Sequence, residues 1–85
     1  MIHKVTSPFT GKIVRWTKKD GDQVSEYDPE PIYFVRPDIP ASNEYGIRSP
    51  ATGRLTILRM GRPGTWVIAR TTVIALIDDI LVIPT

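Results

Sequence analysis

The sequence predicts an all-β domain, a flattened barrel or sandwich assembled from two quasi-symmetric halves. Three observations point there. One motif occurs twice, turn residues recur roughly every ten positions, and no window places apolar residues at helical spacing between caps. The motif is Ser7-Pro8-Phe9-Thr10-Gly11-Lys12-Ile13, and it returns 42 residues later as Ser49-Pro50-Ala51-Thr52-Gly53-Arg54-Leu55.

Each copy runs into a short apolar segment, Ile13-Val14-Arg15-Trp16 and Leu55-Thr56-Ile57-Leu58. A tight turn follows. In the first half it is Lys19-Asp20-Gly21-Asp22, where Asp-Gly favours a two-residue hairpin. In the second it is Arg62-Pro63-Gly64-Thr65, where Pro then Gly suits a type II turn with glycine at positive φ. A valine sits three residues past each glycine, Val24 and Val67. A second apolar run, Ile32 to Val35 or Val73 to Ile77, closes each half. Two turn chemistries at matching places imply one shared backbone path. Alternation directs Ile13, Val24, Ile32, Phe34 and Ile47 to the core, with Leu55, Ile57, Val67, Val73, Ala75 and Ile77 from the other half.

The 85 residues suit one domain over 1–85. Its half-repeats span about 5–35 and 47–78. Between them, Pro37 and Pro40 remove amide donors, so 36–46 reads as an exposed central loop. A last strand at 80–83 is expected to pair with the N-terminal strand and cover an edge. A core this small makes a homodimer a reasonable expectation.

There is no cysteine, which excludes disulfides, thiolate zinc sites and cysteine nucleophiles. Net charge is +2 and the pI near 9.2, too mild to imply nucleic acid by itself. The distribution says more. Five cations precede the first acid, Asp20; residues 20–50 hold seven acids against Arg36 and Arg48; basic residues return with Arg54, Arg59, Arg62 and Arg70. The most apolar stretch, Trp66 to Ile83, is interrupted by Arg70, Asp78 and Asp79 and reads as short strands, not a membrane span. No signal-peptide pattern is visible, so a cytoplasmic location is the default expectation.

The ordered set of Pro-x-x-Gly-(Lys/Arg)-(Ile/Leu), a turn ending Gly-x-x-Val, and a short apolar strand, all repeated once, resembles the biotinyl/lipoyl carrier domains. The likeness covers roughly residues 5–78 and is carried best by Gly21-Asp22-Gln23-Val24 and Ser49 to Gly53. It implies a barrel-sandwich hybrid of two four-stranded sheets. It also implies a lysine on the hairpin between the halves, to which biotin or lipoate is joined as an amide. This chain departs there. Its four lysines, Lys4, Lys12, Lys18 and Lys19, all precede residue 20, and the attachment position falls near Ser42 or Asn43, neither of which carries a primary amine. No biotinylation, lipoylation or other cofactor is expected.

Catalytic constellations are weak. Asp78-Asp79 is the sole adjacent carboxylate pair, and on a strand the two side chains diverge. His3 near the terminus reads as a solvated residue. Ser7 and Ser49 before prolines fit turn chemistry, and the glycines form no phosphate cradle. The expected function is therefore a non-enzymatic, carrier-like protein-interaction module, one form of which is a decoy at a site that receives true carriers. Its candidate partner-binding residues are Trp16, Lys18, Lys19, Arg59, Arg62 and Trp66, since each tryptophan adjoins a basic turn and Trp and Arg are enriched at interface hot spots. The alternative is a small basic β-barrel binding nucleic acid through the turns around Lys18/Lys19 and Arg59/Arg62, with Lys12, Arg15 and Arg54. A ligand cavity between the sheets is the weakest expectation in so small a core.

Overall fold

Alternating apolar residues, broken by turns that carry glycine or proline, divide each half into four strands. The structure, a computed structural model, describes residues 1–38 and 43–79. The strands are β1 (Ile2–Thr6), β2 (Gly11–Trp16), β3 (Gln23–Val24) and β4 (Pro31–Pro37), then β5 (Tyr45–Arg48), β6 (Gly53–Ile57), β7 (Trp66–Val67) and β8 (Val73–Asp78). A short 3₁₀ turn, Arg59–Gly61, precedes β7. They form two four-stranded antiparallel sheets, ordered β1-β8-β6-β3 and β5-β4-β2-β7. Adding four to each strand number of one half, and subtracting four in the other, turns either order into its partner.

The register repeats as closely as the order. His3 faces Ile77 and Val5 faces Ala75 in one sheet; Tyr45 faces Val35 and Ile47 faces Tyr33 in the other. Ladder pairs skip Ile74 in β8 and Ile32 in β4, so both strands bulge at residues 42 apart. The buried serines match too. Each hydroxyl donates to the carbonyl two residues on, Ser7 to Phe9 at 2.7 Å and Ser49 to Ala51 at 2.6 Å. Each oxygen also accepts that residue's N–H. This is the turn chemistry expected of Ser-Pro at both places.

Lys19–Asp22 differs from the expected hairpin. It is a four-residue turn, with Asp22 N–H donating to Lys19 O at 3.0 Å and Gly21 at φ +92°. Its flanking strands belong to different sheets, because β3 pairs with β6 and not with β2. The Pro63-Gly64 turn has the same plan, with Thr65 N–H on Arg62 O at 3.1 Å and Gly64 at φ +88°. The two sequences do share one backbone path. The central connection is shorter than 36–46, since Arg36 and Pro37 end β4 and Tyr45 and Gly46 begin β5. Pro37 is accommodated at the end of the ladder, opposite Gly11. Residues 39–42 of that connection and the strand expected at 80–83 lie outside the described residues.

The core comprises Val5, Ile13, Val24, Ile32, Tyr33, Val35, Ala51, Leu55, Val67, Ile74, Ala75 and Ile77. Ile47 and Ile57 pack against it half-buried. Phe34 and Val73, expected inside, are also only half-buried and stand outside it. The bulges are the reason: an extra residue at Ile32 and Ile74 breaks strict alternation, so Tyr33, Val35 and Ile74 turn inward. Phe34, on the outer face, carries the Arg15 guanidinium 4.0 Å above its ring. Burial pushes the Tyr33 phenol far above its ordinary range.

Gly53 sits at φ +155°, and a Cβ there would lie 2.3 Å from the Asp78 carbonyl oxygen of the adjacent strand; at Gly21 a Cβ meets open space. Gly53→Ala should therefore cost more than about 2 kcal/mol and Gly21→Ala only about 1 kcal/mol. Urea unfolding midpoints of the two variants check the difference.

Candidate partner-binding site

The second turn is fastened to β2 from both ends. Gly64 N–H donates to Ile13 O at 2.7 Å, and Ile13 N–H donates to Thr65 O at 3.0 Å. The Trp16 indole N–H donates to Gly61 O at 2.6 Å, while the Trp16 ring lies 4.8 Å from that of Tyr33. Gly61 is pressed on the Ile74 carbonyl, where a Cβ would lie at 2.2 Å. The base of the 3₁₀ turn is thus buried, and Arg59 and Met60 are left exposed.

From this anchored turn the chain enters β7, the outer strand of its sheet. Val67 faces Gly11 and is fully buried; Trp66 faces Lys12 and points outward. Strand alternation puts Ile68 on the outward side as well. Trp66 is 49% exposed, Ile68 54% and Met60 45%. Lys12, opposite Trp66, and Arg59, Arg62 and Arg70, in the turns on either side of β7, are exposed, and none has an ion-pair partner among the described residues. Arg70 also holds φ +60°, a left-handed conformation that costs a residue with a Cβ about 1 kcal/mol. Such strain clusters at functional positions.

The other half supplies an internal comparison. At the places equivalent to Trp66 and Ile68 stand Gln23 and Ser25. Gln23 occupies the matching register, opposite Arg54 as Trp66 is opposite Lys12. The scaffold accepts a polar side chain there, so packing does not account for tryptophan.

The six residues expected to meet a partner therefore divide. Arg59, Arg62 and Trp66 belong to the second turn and β7. Trp16 supports that turn from beneath and spends its indole N–H on the protein itself. Lys18 and Lys19 belong to the first turn, which bonds to β6 instead; Lys18 borders a groove with Arg15, Asp28, Glu30 and Phe34. Arg15 is engaged by Phe34 and by Glu44 at 2.7 Å. Ile68, Met60 and Arg70 were not singled out by sequence. Ile68 was within reach of it, since Gly-x-x-Val fixes Val67 inward and its neighbours outward. Met60 depends on a 3₁₀ turn that has no sequence signature.

A polar cleft of about 400 Å³ occupies another end, lined by His3, Gln23, Glu26, Ala51, Thr52, Gly53 and Asp79. His3 is not simply solvated: it lies in β1 with Nε2 3.2 Å from Asp79 Oδ2. The Met1 ammonium is 2.7 Å from Asp79 Oδ1. The hydrogen bond from that ammonium, followed by the one from His3, holds the Asp79 carboxyl below its ordinary range; the same contact raises the pKa of the amine. The Thr52 hydroxyl oxygen accepts the Glu26 N–H at 3.1 Å. At the positions equivalent to His3 and Ala51 stand Tyr45 and Phe9, whose rings meet at 5.1 Å. One of these two equivalent places is plugged by aromatics where the other is open.

No protein-family model matches this chain, and no curated protein matches it.

Two outcomes are expected. Arg70→Gly should raise stability by about 1 kcal/mol by removing the left-handed strain, while weakening any partner held at this face; thermal melts and a binding assay read the two effects separately. The Asp79 carboxyl should titrate below 3.8. Its folded pKa is depressed, so the stability it lends is present above the unfolded value and fades as pH falls through the folded one. Acetylating the terminal amine should move the carboxyl ¹³C titration back upward.

Proposed function

We propose that this protein is a non-enzymatic docking module on a carrier-like scaffold, engaging a protein partner through the face around Trp66. The observation that carries the reading is the exposed Trp66, Ile68 and Met60 among unpaired cations, set against Gln23 and Ser25 at equivalent places in the other half. Half-exposed aromatic and arginine side chains on a rigid edge are the residue types that dominate interface energies.

The likeness to biotinyl/lipoyl domains gains support from the two sheet orders, which interconvert between halves, and from the matched bulges at Ile32 and Ile74. In this reading the module works in the cytoplasm and carries no prosthetic group. Of the residues near the carrier attachment point, Asn43 has no amine nucleophile, and Ser42 lies outside the described residues. Lys4 and Lys12 lie within β1 and β2 and not on the connection between the halves. Among the described residues no helix is long and apolar enough to cross a membrane.

The test is capture from native lysate with wild-type and Trp66→Gln baits, with and without nuclease, followed by intact-mass measurement of the bait. The same proteins should be recovered with and without nuclease, and recovery should fall by at least about tenfold with Trp66→Gln, as for loss of a hot-spot residue. The bait should weigh what its sequence predicts. Recovery that vanishes with nuclease would transfer the reading to nucleic acid, and a bait carrying biotin or lipoate would overturn it.

A further inference from the structure

We propose that the Trp66 face receives the acidic turn 26–30 of a second copy of this chain, making a head-to-tail contact; the inference rests on the docking reading and names the occupant. The turn is Glu26-Tyr27-Asp28-Pro29-Glu30, with Tyr27 81% exposed. No cation of the described residues pairs with Glu26, Asp28 or Glu30. The facing patch offers the complement: Trp66, Ile68 and Met60 for the tyrosine ring, and Arg59, Arg62 and Arg70 for the carboxylates. No hydrogen bond, ion pair or ring contact joins turn and patch within one molecule.

The turn is held ready for docking. Asp28 N–H donates to Ser25 O at 3.2 Å and Glu30 N–H to Asp28 Oδ1 at 3.0 Å. The Arg48 guanidinium clasps the backbone carbonyls of Asp28 and Glu26 at 3.1 and 3.4 Å, so it fixes the turn without neutralising its carboxylates. A turn ordered before contact loses little entropy on docking. The connection equivalent to the turn 26–30, which joins β3 to β4, is the segment after Ile68 that joins β7 to β8, and it contributes Arg70 to the patch. That position carries three carboxylates and a tyrosine in one half, and one arginine and no acid in the other. Aliphatic Ile68 and Met60 beside a single tryptophan suit a protein side chain better than stacked bases, which favour several aromatic platforms.

The contact is heterologous, so each copy keeps one free turn and one free patch, and association continues beyond two. One ring pair with rim ion pairs gives weak affinity, on the order of 100 µM, reduced by salt.

Sedimentation equilibrium tests it. The weight-average mass of the wild type should climb past the dimer as concentration approaches about 1 mM at low salt, and fall back in about 0.5 M salt. Tyr27→Ser and Trp66→Gln should each stay monomeric with unchanged circular dichroism. Mixed in equal amounts they should form a 1:1 dimer that stops at two, because one retains the patch and the other the turn. A wild type that stays monomeric, variants that still associate, or a mixture that fails to pair would each overturn the inference. Trp66-dependent capture of a different protein without self-association would leave the docking reading standing and remove the second copy as occupant. Trp66-dependent binding of an oligonucleotide in place of self-association would overturn both.

Discussion

Beside the ladders that join β1 to β8 and β4 to β5, four crossed backbone hydrogen bonds lock the molecule's two halves to each other. Gly21 N–H and Asp22 O bond to Leu55, at 2.7 and 2.8 Å; Gly64 N–H and Thr65 O bond to Ile13, at 2.7 and 3.0 Å. Each half thus completes the other's sheet with its own turn and short strand. The Leu55 and Ile13 groups are fully buried, and a buried peptide group without its partner is costly. Neither half can satisfy its central strand alone, so the two are obliged to fold together. The two-residue strands β3 and β7 persist for this reason and not from any propensity of their own.

A scaffold built this way separates conserved geometry from free surface. Matched inward positions are filled alike: Ile13 with Leu55, Val24 with Val67, Ile32 with Ile74, Ser7 with Ser49. Matched outward positions diverge, because their side chains meet water and the backbone bonds do not depend on them. Every such divergence is a comparison made within one molecule, with fold and register held constant. Trp66 against Gln23 is the clearest of these.

The divergence follows a direction. The first half concentrates carboxylates beside Tyr27, and the second gathers arginines beside Trp66. His3 and Ala51, one from each half, border a polar cleft, whereas their counterparts Tyr45 and Phe9 fill the equivalent space with aromatic rings. The shape has a pseudo-twofold correspondence, whereas the charge does not. A surface polarised in this way offers opposite chemistry at two places, and electrostatic complementarity selects partner orientation more than it adds affinity.

By itself the sequence determined the all-β class, the two halves, the turn positions, the serine turns and the inward Val24 and Val67, because each rests on local chemistry: a glycine at positive φ, a Ser-Pro step, short apolar runs. It also determined that all four lysines precede residue 20. Tertiary structure decided what local chemistry leaves open. Asp20-Gly21 has the residues of a hairpin, yet its strands part to different sheets, since strand partners are chosen by distant segments. The bulges at Ile32 and Ile74 turned Tyr33 and Val35 inward and left Phe34 outside, against simple alternation. Trp16 and Trp66 are alike in sequence, each beside a basic turn. Only the fold makes Trp16 a staple bonded to Gly61 and leaves Trp66 bare, because what covers an aromatic ring is supplied by residues far away along the chain.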